Sequence, residues 1–131
     1  MKVVKVGLIG CGNICDIYFQ QCEKFQSLEI VACADLISER SEKKAEEYNI
    51  AKVCSVKEIV SDPDIDMVLN ITTPQSHAEI DIAALEGGKH VYSEKPLAIN
   101  LEEGKKIMEL SKKNLLVSCA PDTFLGGRLQ T

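Results

Sequence analysis

Short runs of β-branched and aliphatic residues alternate along the chain with stretches of helical periodicity, the pattern of a parallel sheet assembled from strand-helix-strand units. Val3 to Ile9 is apolar almost throughout, broken by Lys5, as a strand buried on both faces should be. Ile14, Ile17, Tyr18, Gln21 and Phe25 then recur at helical spacing with Cys22 on the same side, and predict a helix whose stripe faces the sheet. Glu29 to Asp35 predicts a second strand around Ile30, Val31, Ala32 and Cys33. Ser38 to Tyr48 is mostly charged, with Glu39 and Lys43, then Lys43 and Glu47, four residues apart, which predicts a helix with a solvated outer face.

The alternation continues through the second half. Lys52 to Cys54 predicts a short third strand, and Ser55-Val56-Lys57-Glu58 carries the spacing of a capping box that opens a short helix. Asp62-Pro63-Asp64 punctuates the chain before a fourth strand at Ile65 to Ile71. A helix is predicted to start near Pro74, to bury Ala78, Ile82 and Leu85, and to end at Gly87-Gly88. His90 to Tyr92 reads as strand five. Asn100 caps a helix running to about Lys113, with Leu101, Gly104, Ile107 and Met108 inward. Leu115 to Ala120 reads as strand six, stopped by Pro121. The expectation is a doubly wound, mostly parallel α/β sheet of Rossmann type.

Composition narrows the partners. The chain has 131 residues, of which 45% are hydrophobic and 27% charged, enough for one core. The formal charge is −5 and no stretch gathers Lys or Arg, which argues against nucleic acid. The apolar start of the chain is too short to span a membrane and runs into glycines without a small-residue cleavage site, so it reads as a strand. A cytoplasmic protein without membrane contact is expected. Cysteines stand at positions 11, 15, 22, 33, 54 and 119, with no C-x-x-C pair and several inside apolar runs. They read as free thiols behaving as small hydrophobes. Neither His77 nor His90 has Cys or acidic residues at zinc-like spacing, so no metal is expected. Residues 121–131 mix turn and apolar residues without completing an element, as though the next one had been cut off.

Candidate chemistry begins directly after the first strand. Gly10-Cys11-Gly12-Asn13-Ile14-Cys15 opens the first helix, with Gly10 placed to make a tight turn and Gly12 to let a pyrophosphate approach the helix N-terminus. The third position holds Cys15, slightly larger than the Gly or Ala that close helix-strand packing prefers. Asp35 ends the second strand, where a carboxylate accepts hydrogen bonds from the ribose hydroxyls and repels a 2′-phosphate. NAD is therefore expected over NADP. Arg40, which could soften that preference, lies further on in the next helix.

With these residues in place the chain resembles the Gfo/Idh/MocA oxidoreductases, which include glucose-fructose oxidoreductases and inositol dehydrogenases. The resemblance rests on Val6-Gly7-Leu8-Ile9-Gly10-Cys11-Gly12, Asp35, Thr73-Pro74-x-x-His77 and Glu94-Lys95-Pro96 in the right order, with Pro121 to Gly127 also similar. It implies that residues 1–120 form an NAD(P)-binding Rossmann domain and that residues 121–131 begin the connection to a C-terminal substrate domain lacking from this chain. It further implies that Thr72, Thr73, Pro74 and His77 lie beside the nicotinamide ribose and pyrophosphate. Glu94 would lie near that ribose, and Lys95 beside the substrate hydroxyl as the catalytic residue, aimed by a cis peptide bond before Pro96. The candidate cofactor-binding set is then Gly10, Gly12, Asn13, Ile14, Asp35, Arg40, Thr72, Thr73, Pro74, His77, Glu94 and Lys95. The implied reaction moves a hydride between nicotinamide and a sugar, inositol or related polyol, in a protein that is a homo-oligomer at full length. The histidine that often serves as acid or base in the family comes from the second domain, so the chain by itself is expected to bind nucleotide without turnover. An NAD(H)-sensing regulatory module and a non-catalytic interaction module are the other readings. A sensor needs no Lys95, and a domain that had lost its ligand needs neither the two glycines nor Asp35.

Overall fold

The computed structural model describes residues 2–120, so the expected connection at residues 121–131 lies outside the described residues. Strands and helices alternate: β1 (Val4–Ile9), α1 (Cys15–Cys22), β2 (Leu28–Ala34), α2 (Ser38–Tyr48), β3 (Lys52–Val53), α3 (Val56–Ser61), β4 (Met67–Asn70), α4 (Pro74–Glu86), β5 (His90–Ser93), α5 (Leu101–Ser111) and β6 (Val117–Cys119). The strands form one parallel sheet in the order β3-β2-β1-β4-β5-β6.

β1 shows why a central strand must be apolar on both sides. Val6 and Leu8 enter one buried cluster with Cys15 and Phe19 of α1 and Ala45 of α2. Ile9 enters the other, beside Ile59 of α3, Ala84 of α4 and Ile107 of α5. Helices thus cover both faces, and the sheet is doubly wound as expected. Gly7 is a close-approach position: a Cβ there would stand 2.5 Å from Ile59 Cγ2, so α3 rests directly on the backbone of β1.

Local signals act where they were expected. Ser55 and Glu58 form the reciprocal capping box at the start of α3, with the Ser55 amide donating to Glu58 Oε2 at 2.7 Å. Asn100 caps α5 by accepting from the Glu103 amide at 2.9 Å. All six cysteines are free thiols.

Two helices bury different residues from those expected. In α1, Ile14, Ile17 and Phe25 are exposed, while Cys15 and Phe19 are buried. The helix stops at Cys22, which leaves Phe25 beyond its end, and Phe19 takes the inner face by stacking on Tyr48 with ring centroids 4.6 Å apart. In α5, Leu101 is 73% and Met108 56% exposed, and only Ile107 is fully buried. α5 packs chiefly on α4, so a narrower ridge, Ile107 with Leu110, is covered. β6 is also shorter than expected and pairs only with β5 at the sheet edge.

The two glycines after α4 do different jobs. Gly88 adopts φ +77°, the left-handed turn that ends the helix, whereas at Gly87 an added Cβ would lie 2.1 Å from the Val60 carbonyl oxygen. Gly87→Ala should therefore lower stability more than Gly88→Ala, for which about 1 kcal/mol is expected from conformation alone. Urea unfolding of both variants checks this, and the opposite order would show that the approach of α3 to α4 is not tight.

Candidate functional site

β1 pairs with β2 on one side and β4 on the other, so the loops leaving β1 and β4 diverge to opposite faces and open a crevice at the carboxyl ends. A cavity of about 340 Å³ lies there. Gly10, Gly12, Asn13 and Ile14 line it from the first loop, Asp35 and Arg40 from beyond β2, and Thr72 and Thr73 from beyond β4. The structure thus brings together residues far apart in the chain.

Gly10 is required twice over. Its φ is +107°, and a Cβ would meet the Ile71 carbonyl group at 2.7 Å. Gly12 is different, because nothing stands within 4 Å of its would-be Cβ. That open side belongs to the cavity wall and leaves room for a ligand against the backbone. α1 begins at Cys15, and Ile14 at its N-cap offers no side-chain cap, so no side chain competes for the leading amides.

Asp35 has a structural duty besides the expected one. Its Oδ2 accepts from the Cys11 amide at 2.7 Å and its Oδ1 from the Ile37 amide at 2.8 Å. The carboxylate ties the glycine loop to the end of β2, and each oxygen keeps a lone pair for a further donor. Cys11 itself is buried with its thiol on the Ala34 carbonyl, and the neighbouring Cys33 thiol and burial raise its pKa above the usual thiol range. Arg40 reaches the rim from α2, and Lys44 braces α2 against α1 through Asp16 at 2.6 Å.

The remaining candidates lie at the ends of β4 and β5. Pro74 is the first residue of α4 and does not line the cavity. His77 does not line it either: it is 1% exposed, with Nδ1 2.7 Å from the Pro96 carbonyl oxygen and Nε2 2.7 Å from that of Thr72. Glu94 anchors its amide on the Asn70 carbonyl at 2.8 Å and accepts from the Tyr18 hydroxyl at 3.3 Å. Lys95 is exposed and precedes Pro96 through a cis peptide bond.

Several residues were not anticipated. Leu36, Ile37, Val56 and Ile80 add apolar side chains to the lining of the cavity. The first two were visible as an apolar pair directly after Asp35. Asn70 donates to Asp81 Oδ1 at 2.7 Å and to the His77 carbonyl at 3.0 Å, and accepts from the Thr72 hydroxyl at 2.7 Å. Asp81 is fully buried, and burial pushes its carboxyl up to about 6. An acid between Ile80 and Ile82 was the available signal. Among the described residues no cluster of His, Cys, Asp and Glu could hold a metal ion, and no helix is long and apolar enough to cross a membrane.

The profile of the oxidoreductase family with an NAD-binding Rossmann fold, Gfo/Idh/MocA, matches residues 4–120. Among curated relatives, 1,5-anhydro-D-fructose reductase of Ensifer adhaerens is 37% identical over 108 residues, 82% of this chain and 32% of the relative. Myo-inositol 2-dehydrogenase of Thermotoga maritima is 30% identical over 111 residues, covering 84% of this chain and 33% of its own length. Among solved structures, biliverdin reductase from Synechocystis, in complex with biliverdin and NADP+, superimposes with a TM-score of 0.88 at 31% identity, over 97% of this chain and 40% of that one. The chain spans about a third of the length of the curated relatives it matches.

Two outcomes follow from this geometry. Gly10→Ala should unfold or strongly destabilise the domain, whereas Gly12→Ala should leave its thermal midpoint unchanged, as differential scanning calorimetry would show; equal losses would mean that Gly12 is structural too. Asp81 binds its proton more tightly folded than unfolded, so its ionisation lowers stability as pH rises from about 4 to about 6, the penalty being absent below that window and complete above it. Denaturant curves across this range should show a fall in wild-type stability that Asp81→Asn lacks, and parallel curves would show that Asp81 does not titrate there.

Proposed function

The chain belongs to the Gfo/Idh/MocA oxidoreductases, and from that premise we propose that residues 1–120 bind NAD across the crevice, serving a hydride transfer to or from a sugar, inositol or related polyol. The observation that carries this reading is the open side of Gly12 next to Asp35, at the uncapped start of α1. A pyrophosphate fits against that backbone, where the α1 amides and helix dipole favour negative charge. Asp35 receives the adenosine ribose hydroxyls on its remaining lone pairs and disfavours a 2′-phosphate there. Leu36, Ile37, Val56 and Ile80 form the apolar slot for the adenine. Arg40 closes its rim.

Thr72 and Thr73 line the path from the pyrophosphate toward the end of β5, and Pro74 behind them starts α4. Glu94, oriented by the Tyr18 hydroxyl, holds the nicotinamide ribose. Bound in this way, the nicotinamide supplies or accepts the hydride. Lys95 stands at the end of β5 to hold the substrate hydroxyl and to take or return its proton. The substrate-shaping residues belong to the part of the relatives that this chain does not span, and the 131-residue chain by itself binds nucleotide without turning over a polyol.

Titration of the chain with NADH and NADPH, followed by nicotinamide fluorescence and calorimetry, tests the reading. NADH should bind at least about tenfold more tightly than NADPH. Asp35→Ala should erase that difference, and Gly12→Ala should weaken both without loss of fold. Binding of neither nucleotide would overturn the proposal, and NADPH preference would overturn the role of Asp35. In a longer polypeptide that carries this domain, Lys95→Ala should lower kcat by about a hundredfold or more with little change in NADH affinity.

A further inference from the structure

Four polar side chains are closed off from solvent just behind the carboxyl edge of the sheet: Asn70, His77, Asp81 and Ser93. Asn70 is fully occupied, as described above. His77 poses a proton-counting problem. Both of its ring nitrogens face carbonyl oxygens, of Pro96 and of Thr72, each at 2.7 Å. A carbonyl oxygen only accepts, so each contact needs an N–H, and a neutral imidazole has one. With one hydrogen, the second nitrogen would press its lone pair against an oxygen lone pair at a separation typical of a charge-assisted hydrogen bond.

A buried cation needs a compensating charge nearby. Asp81 lies one turn further along α4, is fully buried, and interacts electrostatically with His77. Its Oδ1 takes the Asn70 amide, while its Oδ2 and the Ser93 hydroxyl that interacts with it are buried without a hydrogen bond of normal geometry. The other ionisable groups near the cluster are Glu94 and Lys95 after β5 and Cys119 of β6, whose thiol feels the Asp81 charge. Above about pH 6 Asp81 is thus the anion on the same helix.

The two carbonyls that His77 holds belong to the two loops of the candidate site. Thr72 lines the cavity after β4, and Pro96 follows Lys95 after β5. We propose that His77 carries hydrogen on both ring nitrogens and is a positioning residue, a charged clamp that fixes the Thr72 and Pro96 turns relative to each other and so sets Glu94, which holds the nicotinamide ribose, and Lys95 at the nicotinamide end of the crevice. It touches neither nucleotide nor substrate. The positioning role rests on the nucleotide reading above, while the protonated clamp does not.

The test uses the 131-residue chain labelled with ¹⁵N. Long-range ¹H–¹⁵N spectra at pH 7 should show two hydrogen-bearing nitrogens for His77. His90 is the internal reference, because its Nδ1 accepts from the Leu116 amide at 2.9 Å. One protonated and one bare nitrogen at His77 would overturn the clamp. In binding titrations, His77→Gln should weaken NADH about tenfold and leave ADP, which lacks the nicotinamide half, unchanged. An equal loss for both ligands would reduce His77 to packing and overturn the positioning role. If His77→Gln fails to fold, the wild-type protein gives the same reading: NADH and not ADP should shift the His77 ring signals, and equal shifts would overturn it. Should the wild-type chain bind neither ligand, the nucleotide reading and the positioning role fail together, and the ring-nitrogen spectrum still decides the clamp.

Discussion

The close approach of Gly10 to the backbone at Ile71 and Thr72 is the constraint from which the carboxyl edge of the sheet takes its shape. β1 is flanked by parallel strands on both sides, so the chain leaving it has to turn within the space left by the chain leaving β4. Only a residue with no Cβ and a positive φ fits. Once that turn is made, the Gly10 amide donates to the Ala34 carbonyl at 2.8 Å, Asp35 collects the next amide, and the start of α1 is aimed over the sheet. A glycine loop, an acid and an uncapped helix are then held together by backbone hydrogen bonds and by one short carboxylate side chain. Such a site is pre-organised, and its ordering cost falls on folding and not on binding.

The same economy appears at the neighbouring strand ends. Asn70, the last residue of β4, points four of its hydrogen-bonding capacities at α4 and at the Thr72 turn. A buried amide so fully engaged rigidifies its surroundings, whereas one left partly unpaired would cost stability. Asp81 is the expensive member of the group, desolvated and only half satisfied. A carboxyl kept in such a place, one helical turn from a doubly engaged His77, sets this end of α4 apart from the apolar core around it.

Much of this was legible in the chain. The alternation of β-branched runs with helical stripes reflects burial of strands on two faces, and it survives in any one-dimensional reading because its periods are short. Ser55 and Glu58, or Asn100, act within a single turn, so their spacing suffices. Gly10, Gly12 and Asp35 were readable because a strand, a turn and a helix follow one another at that point. The stripes of α1 and α5 were misread for the converse reason. Ile17 and Leu101 have the right hydrophobicity and the right period, but which face of a helix is covered depends on neighbours such as Tyr48 and α4 that are remote in sequence.

The sequence by itself determined the element order, the parallel doubly wound class, the glycine turn and the acid that follows the second strand, because each is encoded by local spacing and backbone preference. Tertiary structure alone decided that Asp35 holds the Cys11 amide, that Gly87 must be small for the sake of Val60, and that His77 is sealed between Thr72 and Pro96. These contacts join residues from different loops, and their geometry is settled by how the strands pair and how deeply each side chain is buried, quantities that no spacing along a single chain contains.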